Sequence, residues 1–350
     1  MNLIINNHNI LEILFVTFFA SLVLVPLAKK IANHVGALDL PNERKIHKKA
    51  MPRMGGLAIY GSFLIGYILY GELTTQMLSI LIGSFIIFLL GIFDDIKPIS
   101  AKYKFLVQII AAIIVVVYGQ IYFTELTFLG IRLEFNLIVS YILSVFFIVA
   151  ISNAINLIDG MDGLASGISS IYFATIGIIA IVLNKISGLD IILTTIMLGA
   201  TLGFLAHNFP PAKIFMGDSG SLFLGFMISV IALVSYKVAT LTSLVIPIVI
   251  LAIPIFDTIL AILRRLLKGE SIGTPDKEHF HHQLLKLKFS PKVSIIIIYL
   301  INIMFSVVSI FYVIENNKKA IVLYLLLMLV LLFVILKTDI LYNHKNKGKK

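Results

Sequence analysis

Cysteine and tryptophan are both absent from the 350-residue chain. The first absence excludes disulfides, thiolate nucleophiles and cysteine-ligated metals. The second leaves any aromatic girdle at a membrane interface to the 13 tyrosines and 25 phenylalanines. Charge is scarce as well. Asp, Glu, Lys and Arg make up 13% of residues against 59% hydrophobic, and mean hydropathy is +1.03. A soluble surface cannot be built from that ratio, so composition alone predicts a polytopic membrane protein. No duplicated half is visible, and the longest loop, 268–292, is too short for a soluble domain. The first apolar run, from residue 10, contains Glu12 and lacks a basic leader, so it is expected to be a retained helix.

A helix needs about 20 apolar residues to cross a bilayer. On that criterion the expected fold is all-α, with eleven transmembrane helices near 10–32, 54–70, 77–93, 105–123, 135–154, 164–183, 191–206, 219–236, 241–263, 293–314 and 320–336. They form one transmembrane domain, 1–337, followed by a basic cytoplasmic tail, 338–350. Loop charge sets the orientation. With the N-terminus outside and the C-terminus in the cytoplasm, all Lys and Arg but Arg132, Lys185, Lys237, Lys318 and Lys319 fall on the cytoplasmic side. Asp94, Asp95, Asp159, Asp162 and Asp218 fall there too, whereas the outer loops hold only scattered acids. Chemistry is therefore expected at the cytoplasmic face.

Four stretches carry that chemistry. In NAINLIDGMDGLASG, residues 153–167, a strict three-residue spacing sets out Asn153, Asn156, Asp159 and Asp162. If the preceding helix continues through it, all four oxygen donors share one face. In GIFDDIKPISAKYKF the neighbouring carboxylates Asp94 and Asp95 repel each other, which a hard cation such as Mg²⁺ relieves; the alternative is a solvated helix end neutralised by Lys97, Lys102 and Lys104. In HNFPPAKIFMGDSGS, Asp218 either caps the following helix or binds metal, and Phe215 is placed to stack on a base. In HFHH, His279, His281 and His282 suit hydrogen bonding to phosphate or substrate, zinc ligation, or plain surface charge. The first loop, with Lys48, Arg53 and Gly55-Gly56, is cationic, as positive-inside loops are. Asp257 in PIFDT is expected to make a structural bond inside the bundle.

These motifs occur in one order and on one side of the membrane. Together, over about 39–291, they resemble the polyprenyl-phosphate N-acetylhexosamine-1-phosphate transferases, which begin peptidoglycan, teichoic acid and O-antigen lipid intermediates. The HFHH form looks more like the teichoic-acid and O-antigen branch than the muramyl-pentapeptide branch, where three consecutive histidines are usual. The resemblance implies catalytic roles for Asp94 and Asp95. It implies a magnesium site at Asp218 with Asn156 and Asn153 close by, and Mn²⁺ as a substitute ion. Substrate binding is implied for Asp159, Asp162, Phe215, Lys48, Lys102, Lys104, His279, His281 and His282. The partners implied are a UDP-N-acetylhexosamine, undecaprenyl phosphate and membrane lipid, with no nucleic acid; a homodimer is compatible.

The implied reaction transfers N-acetylhexosamine 1-phosphate, with GlcNAc the family default, to the lipid phosphate and releases UMP. Two anions must meet, and unit like charges about 4 Å apart repel by roughly 4 kcal/mol at an effective dielectric near 20. A site for this needs carboxylates for metal and cations for phosphate at one membrane face, and the sequence supplies both. A phosphate monoester is mostly dianionic at neutral pH, which favours direct attack over a covalent intermediate. Three other readings compete. A UDP-MurNAc-pentapeptide transferase shares the motifs. An ion-coupled transporter calls for mid-bilayer acids and a repeat. A phosphatidyl-alcohol phosphotransferase lacks its required Arg after Asp159-Gly160.

Overall fold

The computed structural model describes residues 4–5, 8–40, 50–128, 131–185, 188–237, 245–267, 269, 279–315 and 318–337. Lys48 and the basic tail, 338–350, lie outside the described residues. The helices are α1 (Ile10–Val35), α2 (Gly56–Tyr70), α3 (Thr75–Ile96), α4 (Ala101–Ile113, continued by a π-helical turn Ile114–Tyr118) and α5 (Leu137–Ile158). They continue with α6 (Leu164–Val182), α7 (Leu189–Asn208), α8 (Asp218–Lys237), α9 (Val245–Ile250) and α10 (Ala252–Leu267). Short α11 (Phe280–Lys286) and then α12 (Pro291–Glu315) and α13 (Lys318–Lys337) complete the set. Side-chain oxygens start three of them, as expected of Asn and Thr at a helix entrance: Asn9 accepts from Leu11 N–H, Thr74 from Met77 N–H and Asn136 from Val139 N–H.

Among the described residues, eight helices are long and apolar enough to cross a membrane: α1, α3, α4 with its π turn, α5, α6, α7, α8 and α12. The chain is therefore an all-α polytopic membrane protein. The expected short seventh span is a full 20-residue helix, α7. The expected ninth, 241–263, is instead broken into α9 and α10. Pro254 has no N–H to give the carbonyl of Ile250, and its ring crowds that carbonyl, so the helix stops there and restarts at Ala252.

The organising element is α8. Every residue from Ser219 to Ser235 is buried, so this helix meets other helices on all sides. Lipid gives helices little reason to associate, and small residues that let backbones touch supply it. Gly91 of α3 lies so close to α8 that a Cβ there would sit 2.3 Å from the Ser219 Cα, and a Cβ on Gly56 of α2 would sit 2.3 Å from the Gly220 nitrogen. Gly91→Ala is expected to cost about 1–3 kcal/mol through overpacking. Thermal inactivation in detergent should fall well below that of Gly177→Ala, whose added methyl meets only Thr194 Cγ2 at 3.9 Å.

These contacts bring one end of the bundle together. The C-terminal ends of α3, α5 and α7 meet the N-terminal ends of α2, α4, α6 and α8. Two backbone straps close that end. The segment 51–52 pairs antiparallel with 38–39, and Arg53 lies parallel to Phe215. The strap is held by Phe215 N–H to Pro52 O at 2.8 Å, Gly55 N–H to Phe215 O at 2.9 Å and Gly56 N–H to Met216 O at 2.9 Å. At the other end, 125–128 and 131–134 form an antiparallel hairpin.

Candidate active site

The close approach at Gly91 lays the last turn of α3 over the first turn of α8. Asp95 there accepts from the Asp218 N–H at 2.8 Å, the Ser219 N–H at 3.1 Å and the Ser219 hydroxyl at 2.6 Å. Arg53 Nε lies 3.2 Å from the same carboxylate. A side chain from one helix thus caps the N-terminus of another, where free N–H groups and the helix dipole favour an anion. Gly217, at φ +74°, makes the turn that permits it, and a Cβ there would fall 2.4 Å from an Asp95 oxygen.

Asp94, the next residue round, accepts from the Ile99 N–H at 2.7 Å and from Lys104 Nζ at 3.2 Å. Asp218 is gripped on both oxygens, by Arg53 Nη2 on Oδ1 and Lys104 Nζ on Oδ2, each at 2.8 Å. Burial opposes the charge on Arg53, but the fields of Asp95, Asp218 and Asp94 outweigh it and raise its pKa. Three carboxylates from α3 and α8 therefore share two cations.

A fourth carboxylate faces them. Helix α5 stops at Ile158 and Asp159 is its C-cap. Burial, then the negative charges of Asp218, Asp95 and Asp162, push the Asp159 pKa up to about 8 against the pull of Arg53. An acid whose folded pKa exceeds its unfolded value of about 3.9 loses stability as pH rises between the two. Asp159→Asn is therefore expected to flatten the fall in thermal stability from about pH 5 to about pH 8 in chelator.

Beside this cluster opens a cavity of about 700 Å³. Arg53, Asn156, Asp159 and Asp218 are the parts of the charged cluster and its surroundings that reach it, and Phe215, His282 and Lys292 line it too. Asn156 donates to Ser221 Oγ at 2.9 Å, which ties α5 to α8 at the cavity edge.

The other expected residues take varied positions. Asn153 does not join the carboxylates. Its amide is paired with Gln108 of α4 and with the Val149 carbonyl. The expected single face of four donors is not formed, because the helix ends before Asp159 and the turn passes through Gly163 at φ +77°. Asp162 lines the cavity and accepts from the Ala212 N–H at 2.9 Å, which joins two loops. Lys102 is exposed on the first turn of α4. His279 Nδ1 lies 2.9 Å from Asp257, which also accepts from the Phe280 N–H at 2.9 Å, so Asp257 anchors the histidine segment as a structural bond. His281 is buried against Gly160, and burial with the neighbouring His282 lowers its pKa to about 3, so it stays neutral.

Three participants stand outside the site residues expected from the sequence. Arg53 and Ser219 complete the cluster, and Lys292 lines the cavity. In the sequence Arg53 reads as general loop charge; the signal that marks it is its place immediately before Met54-Gly55-Gly56, where backbones converge.

Among the described residues no three His, Asp or Glu side chains form a ready-made metal cage. The donor set nonetheless fits Mg²⁺. That ion takes oxygen ligands, keeps several waters, and is commonly held by one or two carboxylates plus substrate phosphates. Asp218 at the cavity edge, with Asp94 behind it and Asn156 beside it, supplies such donors.

The profile of glycosyl transferase family 4 matches residues 77–236, from the start of α3 to the end of α8. A Bacillus subtilis (strain 168) protein named probable undecaprenyl-phosphate N-acetylglucosaminyl 1-phosphate transferase is 48% identical over 298 residues, 84% of this chain and 82% of its own length. The undecaprenyl-phosphate alpha-N-acetylglucosaminyl 1-phosphate transferase of Escherichia coli (strain K12) is 32% identical over 314 residues, 85% of this chain and 81% of its own. The decaprenyl-phosphate N-acetylglucosaminephosphotransferase of Mycolicibacterium smegmatis is 32% identical over 315 residues, 81% and 76% of the two chains. The profile spans the helices that assemble the cluster, the likeness to whole relatives extends well beyond them, and the chain belongs to glycosyl transferase family 4.

Proposed function

We propose that the chain transfers N-acetylglucosamine 1-phosphate from a UDP-sugar to undecaprenyl phosphate, releasing UMP and forming the first lipid-linked intermediate of a surface polymer. The observation that carries this is the meeting of Asp94, Asp95, Asp159 and Asp218 with Arg53 and Lys104 beside one cavity. A phosphoryl transfer between two anions calls for that mixture of charges in one place. An ion-coupled carrier has no use for a 700 Å³ cavity edged by Phe215, Arg53 and Lys292 at one end of the bundle.

The acceptor phosphate oxygen attacks the sugar-linked phosphorus as the bond from that phosphorus to the UMP oxygen breaks. Lys102 and Lys104 hold the acceptor phosphate, and Phe215 packs on the uracil. Asp218, with Asp94 and Asn156 near, would hold Mg²⁺, which when bound would neutralise charge on the diphosphate and on the departing UMP. Asp95 has its oxygens occupied by four donors and serves as a positioning residue. With Asp95 so engaged, direct attack by the lipid phosphate is favoured over an aspartyl-phosphate.

On this reading α2, α13 and the broken α9–α10 pair cross the membrane together with the eight long helices, which makes eleven crossings. With the lysine-rich end in the cytoplasm, the site opens to the nucleotide-sugar pool of the cell membrane's inner face. The test is UMP release by purified protein from a panel of UDP-sugars, with undecaprenyl phosphate and with Mg²⁺, Mn²⁺ or chelator. UMP from UDP-GlcNAc, lost in chelator, is expected. Release from UDP-MurNAc-pentapeptide alone, or none from any donor, would overturn the reading.

A further inference from the structure

Among the described residues, Arg53 is the cation of the charged cluster that also lines the cavity. Its Nε lies 3.2 Å from Asp95 and its Nη2 lies 2.8 Å from Asp218 Oδ1, while its side chain also lines the cavity. Lys104, the other cation on Asp218, does not line that cavity. The backbone around Arg53 is pinned on two sides. Its own N–H donates to the Ala37 carbonyl at 3.0 Å, and the flanking residues are strapped to 215 and 216. The guanidinium therefore works from a fixed base. Its planar fork is rigid, so it swings as one body and offers five donors at fixed angles to Asp95 and to a second anion, which an ammonium cannot do.

Asp218 has both oxygens taken, Oδ2 by Lys104 on the far side and Oδ1 by Arg53 on the cavity side. A divalent cation arriving from the cavity competes with Arg53 for Oδ1. A diphosphate arriving with it offers the released arm a new pair of oxygens.

We propose that Arg53 guards the Asp218 oxygen that a divalent cation needs, and recognises the diphosphate of the nucleotide donor once it lets go. Arg53 thus makes metal binding weak until nucleotide is present and couples the two. The proposal rests on the transferase reading of the same site.

Two binding measurements on detergent-purified protein test it: Mn²⁺ alone by electron paramagnetic resonance, and UDP against uridine by calorimetry with Mn²⁺ present. In Arg53→Gln, Mn²⁺ alone should bind about tenfold tighter, UDP about tenfold weaker and uridine unchanged, since one charged hydrogen bond is worth at least about that factor. A merely structural role would weaken all three together. In Arg53→Lys, which keeps the charge and loses the fork, UDP should weaken with uridine unchanged. Unchanged or weaker Mn²⁺ binding in Arg53→Gln overturns the proposal, as does equal loss of UDP and uridine in either variant. If Arg53→Gln does not fold, the Arg53→Lys split decides. Wild-type protein that binds neither UDP nor uridine removes the transferase reading and this proposal with it; wild-type binding without the split removes only the proposal.

Discussion

Asp218→Asn is expected to lower the rate of UMP release by on the order of 10²–10³-fold, the range seen when one pre-aimed electrostatic group is removed from a reacting centre. The substitution keeps the size and planarity of the side chain and removes its charge. Arg53 and Lys104 each lose an anionic partner at 2.8 Å. The amide oxygen still accepts one hydrogen bond, so the first turn of α8 should stay in place. Asp218→Ala is the harsher change, because it removes the acceptor between two partly buried cations and leaves Arg53 only Asp95 and Lys104 only Asp94 as close anions. Breaking a fully buried pair from one side costs about 3–5 kcal/mol; partial exposure and the remaining carboxylates keep the cost lower here, and the alanine variant should still lose stability as well as rate. The discriminating measurement is activity and thermal inactivation on the same preparation. An Asn variant that keeps most of the wild-type rate would show that Asp218 does not serve the reaction.

Asp95→Ala is expected to fail differently. Four donors converge on this carboxylate: two backbone N–H groups of α8, the Ser219 hydroxyl and Arg53 Nε. Removing it strands all four in a nearly water-free place, with a cost again of about 3–5 kcal/mol. Ser219→Ala takes away one hydroxyl and should cost only about 1 kcal/mol. Asp95→Ala should therefore lose folded protein and activity together, whereas Asp218→Asn loses activity alone. Phosphorylated Asp95 trapped from a donor labelled on its sugar-linked phosphorus would contradict the positioning role, and phosphorylation of either Asp94 or Asp95 would contradict direct attack by the lipid phosphate.

How far these residues can be read from the sequence depends on the range of the interaction that places them. The all-α architecture is legible because lipid leaves the backbone no other partner than itself, so long apolar runs must be helices. Asp94, Asp95, Asp159 and Asp218 are legible as a group because ionisable residues are few here and costly near a bilayer, so each demands a reason. Local rules stop working where a partner comes from far along the chain. Arg53 meets Asp218 across 165 residues, and within its own loop only the Gly55-Gly56 that follows it separates it from ordinary cytoplasmic charge. Asn153 follows the three-residue spacing perfectly and is still drawn aside by Gln108, 45 residues away on α4. Asp162 misses the expected face because Gly160 and Gly163 end the helix early, and its carboxylate closes a loop against Ala212. The break before Ala252 is written in Pro254, yet the hydropathy of the run hides it.

Because α8 is walled in from Ser219 to Ser235, it touches no lipid along that length. A change in membrane thickness or fluidity reaches the carboxylate at its tip only after passing through a surrounding ring of helices. The composition of the membrane should accordingly govern how readily the lipid acceptor arrives, seen in its KM, and leave the turnover of a saturated enzyme nearly constant. Thermal or chemical adaptation of such an enzyme to a new envelope can then proceed on its outer helices without retuning the reacting groups.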